Sequence, residues 1–154
     1  MPQIEKKLEE LGITLPEVAR PVAAYVPYVV AGNFVFISGN LPVEKGALKY
    51  KGRLGADISL EDGVQAARLC AINAIAALKA AVGGDLEKVE KIVRVEGFVA
   101  STPEFEAHPK VINGASELII GVFGEKGAHS RFAVGCASLP LGAPVEVGMI
   151  ALTQ

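Results

Sequence analysis

The sequence predicts one α+β domain in which two helices pack on the same face of a mixed β-sheet. Three observations lead there. A length of 154 residues suits one domain and hardly two. Helical and extended segments alternate in the order ββ(β)αβαββ, which points to helices laid on one sheet rather than separate helical and strand domains. No low-complexity linker divides the chain. With 51% hydrophobic and 21% charged residues the composition is that of a globular chain, large enough to fold without disulfides or a metal.

Residues 3–11 read as a short amphipathic helix ended by Gly12. Residues 22–31 are extended, because Pro21 and Pro27 oppose a helix, and Gly32-Asn33 is a hairpin turn. Phe34–Ile37 is a buried strand closed by Ser38-Gly39. The polar stretch 43–57 holds a short strand near Leu48–Tyr50. Ser59 is a good N-cap, and Glu61 and Asp62 follow where the helix dipole favours acids. That helix runs to about Val82, with Val64, Ala67, Ala71, Ile75 and Leu78 on one face, and Gly83-Gly84 ends it. Asp85–Lys88 is a turn, and Ile92–Val99 a strand. A second helix covers about Pro109 to Phe123, with Val111, Ala115, Leu118, Ile119 and Val122 inward. Arg131–Ala137 and Val145–Leu152 are the last strands. Residues 1–19 are thus a helical extension, and 20–154 the domain. The strands are apolar on both sides, so the face away from the helices needs a cover, and self-association is the economical one.

Charge and cysteine usage narrow the function. The formal net charge is -2 and the pI about 5.7. Lys and Arg are interleaved with acids, as on solvated helix faces, so composition does not favour nucleic-acid binding. No apolar run reaches the ~20 residues of a bilayer span. The N-terminus lacks the apolar core of a secretory signal. Cys70 and Cys136 form no CxxC and read as small buried hydrophobes in a reducing cytosol, so a cytoplasmic location is expected. His108 and His129 have no zinc-site spacing. There is no phosphate-cradling glycine motif, nucleophile elbow or ordered Ser/His/Asp set.

Two charges stand out. Arg131 opens an otherwise apolar strand, and Glu146 lies between Val145 and Val147 in the next. A charge there is costly unless paired. Either the two pair with each other or across a subunit interface, or Arg131 offers its planar fork to a ligand carboxylate while Glu146 handles a water or proton.

The stretch Arg131-x(7)-Leu139-Pro140-x(4)-Val145-Glu146-Val147 resembles the C-terminal signature of the Rid family, the YjgF or endoribonuclease L-PSP group. Gly32–Val43, reading GNFVFISGNLPV, resembles the family's first hairpin. Ala66–Leu78 with Asn73 resembles its long helix, and Gly84-Asp85-Leu86-x-Lys88-Val89 the following connection. The likeness covers about residues 20–152. It implies a fold similar to the trimeric type of chorismate mutase: a homotrimer whose sheets form an inner barrel, with clefts between subunits.

The activity it implies is hydrolysis of enamine or imine intermediates to keto acids and ammonia, by a deaminase without cofactor or metal. A trimer that binds small carboxylates without turnover is the alternative. An endoribonuclease or translation inhibitor comes third, against the acidic balance. By the same resemblance Arg131 binds the substrate carboxylate and Glu146 orients water. Ser38 and Gly39 line the cleft, joined by Tyr28, Phe105 and Asn113. Each also has a structural reading: Ser38 a turn bond, Asn113 a helix-break cap, Tyr28 packing. Ala133 stands where the family often has cysteine, which rules out thiol catalysis at that place.

Overall fold

The computed structural model describes residues 2–18 and 24–154. Helix α1 (Gln3–Glu10) opens the chain. Strands β1 (Tyr28–Ala31) and β2 (Phe34–Asn40) form the predicted hairpin around Gly32-Asn33. The extended segment expected from residue 22 is seen as β1, and residues 22 and 23 lie outside the described ones. The expected strand near 48–50 is instead a small hairpin, β3 (Val43–Glu44) with β4 (Ala47–Leu48). Its turn uses Lys45 and Gly46, both at positive φ, a turn signal that the polar composition hid.

Helix α2 (Leu60–Ala81) starts as predicted, with the Ser59 side chain accepting from the Asp62 amide at 3.1 Å. Strand β5 (Val89–Ala100), helix α3 (His108–Phe123), and strands β6 (Ser130–Cys136) and β7 (Val145–Thr153) complete the chain. The main sheet runs β1-β2-β7-β5-β6, antiparallel except for the parallel β5–β6 pair. It is the predicted α+β arrangement.

Both long helices lie on one face, where Val35, Ile37, Val95, Val99, Val145, Val147 and Met149 are buried. Gly114 of α3 lets the helices approach until the Val64 backbone of α2 occupies the space of a β-carbon. Helix α2, at 22 residues, is by length and composition apolar enough to cross a membrane. Its Ala66–Leu78 stretch is instead packed in the core. Helix α1 adds Ile4 and Leu8 to the same core and docks through the Ile4 amide, which donates to Glu87 at 2.8 Å.

The opposite face is carpeted differently. Register puts Phe34 opposite Leu152 and Phe36 opposite Ile150. Phe98 and Phe132 meet edge to face at 5.4 Å. Phe34, Phe36 and Val134 are 42–43% exposed there.

Candidate functional site

The sheet register decides which predicted site residues meet. Arg131 is level with Val95 on β5, and Val95 with Met149 on β7. Val95 and Met149 face the helices, so Arg131 does too. Glu146 is level with Phe98, on the open face. The two charges are two strands apart and three register steps along, roughly 14 Å between Cα atoms, on opposite faces. The pairing of Arg131 with Glu146 is therefore excluded within one chain.

Arg131 reaches instead toward α3. Its Nη1 donates to Asn113 Oδ1 at 2.8 Å and to Ser116 Oγ at 3.1 Å, and its Nη2 donates to the Pro109 carbonyl at 3.2 Å. Residues 109, 113 and 116 recur at helical spacing, so one stripe of α3 supplies all three acceptors. Asn113 thus caps no helix break; it sits within α3 and holds the arginine. None of these acceptors is charged, and among the described residues no carboxylate pairs with Arg131. A guanidinium has five N–H donors. Three are used here, and those left are on Nε and Nη2, which share one edge of the plane. That edge has the shape that takes a carboxylate with two parallel bonds.

Ala133 follows Arg131 on the helix side of β6 and is partly buried against the core. Beyond it a shallow cavity of about 370 Å³ is lined by Ser101, Phe105, His108, Gly135 and Cys136. Phe105 stands edge-on to His108, ring centres 5.2 Å apart, and His108 Nε2 lies 3.3 Å from Ser101 Oγ. A larger hollow of about 540 Å³ lies far from these residues, between α1 and the end of α3, among lysines and glutamates of the surface.

Glu146 collects a second group. A β-carbon on Gly39 would overlap the Glu146 carboxylate, so the absence of a side chain there gives the carboxylate its place. The β2–β7 register slips between Ile37 and Asn40, which swings Gly39 toward Glu146. Burial pushes the Glu146 carboxyl above its ordinary range. Ser38, next to Gly39, donates its hydroxyl to the Val26 carbonyl at 2.6 Å, a bond across the hairpin rather than within a turn, and its lone pairs remain. Cys136 corrects a further expectation: Cys70 is buried but Cys136 is partly exposed. Burial first, and then Glu146, raise its thiol pKa.

Tyr28 belongs to neither group within one chain. It begins β1, the edge opposite β6, and packs against the core. Sequence reasoning also missed Ser116 and His129. Ser116 Oγ lies 2.8 Å from His129 Nε2, and His129 Nδ1 lies 2.6 Å from the Gly127 carbonyl. The signals were present: Ser116 lies three residues after Asn113 on α3, and His129 two before Arg131 on an extended segment.

The family model described as "YjgF/chorismate mutase-like, putative endoribonuclease" matches residues 5–152. The chain belongs to that family. Among YjgF-family relatives, protein TCP17 of Trypanosoma cruzi is 44% identical over 146 residues, 94% of this chain and 91% of that protein. The crystal structure of Atu1372 from Agrobacterium tumefaciens, a protein of unknown function, is 47% identical with a TM-score of 0.92, covering 98% of this chain and 92% of that one. A Shewanella oneidensis MR-1 protein bearing the same provisional endoribonuclease label is 39% identical with a TM-score of 0.94, covering 97% and 99%. More distant is TdcF of E. coli, solved with bound serine, at 22% identity and a TM-score of 0.63 over 90% and 94% of the two chains. At that identity the likeness is one of fold.

Proposed function

We propose that this YjgF-family protein hydrolyses small enamine or imine acids to 2-oxo acids and ammonia, in clefts between the subunits of a homotrimer. The observation that carries the proposal is Arg131. Its two Nη groups are held by three uncharged acceptors, donors on Nε and Nη2 are left over, and no carboxylate among the described residues uses them. Ligand carboxylate on those donors is the role this geometry supports best. TdcF, which shares the fold, holds serine, a small molecule with such a carboxylate.

The chemistry asked of the site is modest. An enamine first tautomerises to the imine. Water then adds to the C=N carbon as one of its protons passes to nitrogen, and the second passes to nitrogen as the C–N bond breaks, releasing ammonia and leaving C=O. Glu146 suits the proton transfer. Its raised pKa brings it nearer to neutrality than a solvated carboxylate, so it can take a proton from water and return it. Because Arg131 and Glu146 face opposite sides of one sheet, one substrate meets both only if two copies contribute. The exposed apolar carpet beside Glu146 supports such packing. Ser38 and Gly39 would line the cleft from the glutamate side. Asn113, Ala133 and Phe105 would line it from the arginine side, with Tyr28 entering from a neighbouring copy.

The test is ammonia release from an enamine generated in situ by an amino-acid dehydratase. Wild-type protein is expected to accelerate release, and Arg131→Ala to lower kcat/KM by about 10²–10³, the scale of losing a bidentate charged contact. Equal release with and without wild-type protein would sink the proposal. The non-catalytic alternative is favoured by one observation, Ala133 in place of a thiol, and predicts keto-acid binding that depends on Arg131 without turnover.

A further inference from the structure

Arg131 is not oriented by its immediate neighbours alone, and the hydrogen-bond chemistry behind it has one consistent direction. Arginine only donates, so Ser116 Oγ accepts from Nη1 at 3.1 Å. The single hydroxyl hydrogen of Ser116 is left to point elsewhere, and His129 Nε2 is 2.8 Å away. On the far side of the ring the Gly127 carbonyl can only accept, so Nδ1, at 2.6 Å, carries a hydrogen. The neutral imidazole with its hydrogen on Nδ1 satisfies every contact. The chain then runs guanidinium to hydroxyl, hydroxyl to imidazole, imidazole to backbone, each bond polarising the next. Ser116 is buried, so its hydroxyl cannot trade His129 for water without cost.

We propose that His129 is a positioning residue for the Arg131 anchor. Acting through Ser116, it fixes which edge of the guanidinium is offered to a ligand, and so sets affinity for a small 2-oxo acid without touching it. The inference rests on Arg131 binding carboxylate, as proposed above. His129 lies two residues before Arg131 on the same extended segment and ties the arginine to the backbone of the turn at 124–127. Without the imidazole, the Ser116 hydrogen turns to another acceptor. The lone pairs of Ser116 Oγ then turn away from Nη1, and Asn113 and Pro109 carry more of the steering.

The test combines calorimetry with 2-oxobutanoate and crystal structures of the variants. His129→Ala is expected to weaken binding about fivefold to tenfold, the scale of one lost hydrogen bond in an anchoring network, while the thermal midpoint falls by only about 2–5 °C. His129→Gln, whose side-chain oxygen can again accept from Ser116, should recover affinity to within about twofold. Ser116→Ala, which also loses the direct bond to Nη1, should weaken binding at least as much as His129→Ala, and the double variant no more than Ser116→Ala, because the histidine's effect passes through the hydroxyl.

If Arg131→Ala abolishes binding but His129→Ala leaves it unchanged, the positioning role is overturned and the anchor stands. Additive losses in the double variant overturn it too. If Arg131→Ala binds as wild type does, or if wild type does not bind 2-oxobutanoate, the anchor reading fails instead. The variant structures then decide the positioning role alone. A guanidinium displaced from Asn113 in His129→Ala supports it, and one that keeps all three bonds overturns it. Should the alanine variant not fold, the same structural comparison is made on His129→Gln against Ser116→Ala. A guanidinium kept in place by glutamine and displaced in Ser116→Ala is expected, and no displacement in either refutes the role.

Discussion

The two faces of the sheet are finished to different degrees. On the helix face Val35, Ile37, Val95, Val99, Val145, Val147 and Met149 are buried and Arg131 is held by acceptors from its own chain. On the open face Phe34, Phe36 and Val134 are exposed, and Glu146 is half-buried with no hydrogen-bond partner among the described residues. One face is covered by the chain's own helices, and the other leaves large apolar side chains exposed. The difference teaches where binding precision resides. In the proposed site the arginine half would be preorganised in a single copy, and the glutamate half would depend on what covers it.

The largest expected effect breaks the open face. Phe36→Asp places a charge in the exposed apolar carpet, opposite Ile150. If that carpet is the interface between copies, sedimentation should show the assembly falling apart, and ammonia release should drop about 100-fold or more with it, since a desolvated charge is not tolerated there. Unchanged assembly and rate would show that the open face is covered by something else. A smaller effect separates the two halves. Gly39→Ala presses on the flexible Glu146 carboxylate rather than on backbone, so the fold should hold. We expect kcat to fall about tenfold while KM for the carboxylate substrate changes less than about twofold, because Arg131 is untouched. Equal changes in kcat and KM would mean that the two halves are not separable.

How much of this was legible in the sequence follows the same division. The long helices and strands were legible because of their apolar patterns, helped at α2 by the caps at Ser59 and Gly83-Gly84. The β3–β4 hairpin was not, since Lys45 at positive φ carries no composition signal. Arg131 and Glu146 stood out because a charge in an apolar strand is expensive. Their opposite facing was hidden because it depends on strand order and on how β5 pairs with β6 and β7, which neighbouring residues in sequence do not reveal. Ser116 and His129 were passed over because each is ordinary alone. Only the docking of α3 against β6 makes a chain of them.

The smallest effect is a pH dependence that asks how dry the open face is around Glu146. Burial raises the folded pKa of its carboxyl above the ordinary value of 4.5. A raised carboxyl pKa means that the fold prefers the protonated form. Its contribution to stability is therefore fully present below that ordinary value, and is lost as pH rises through the folded pKa. Glu146→Gln is neutral at every pH and keeps the shape, so it should match wild type in acid and melt about 1–3 °C higher at neutral pH. The carboxylate is half-buried, and solvent screening keeps the effect small. Melting wild type and variant in parallel from pH 4 to 8 reads this directly. Curves that stay parallel would show Glu146 to be solvated. A gap that widens as protein concentration rises would show that a second copy, seating on the open face, dries the carboxylate further.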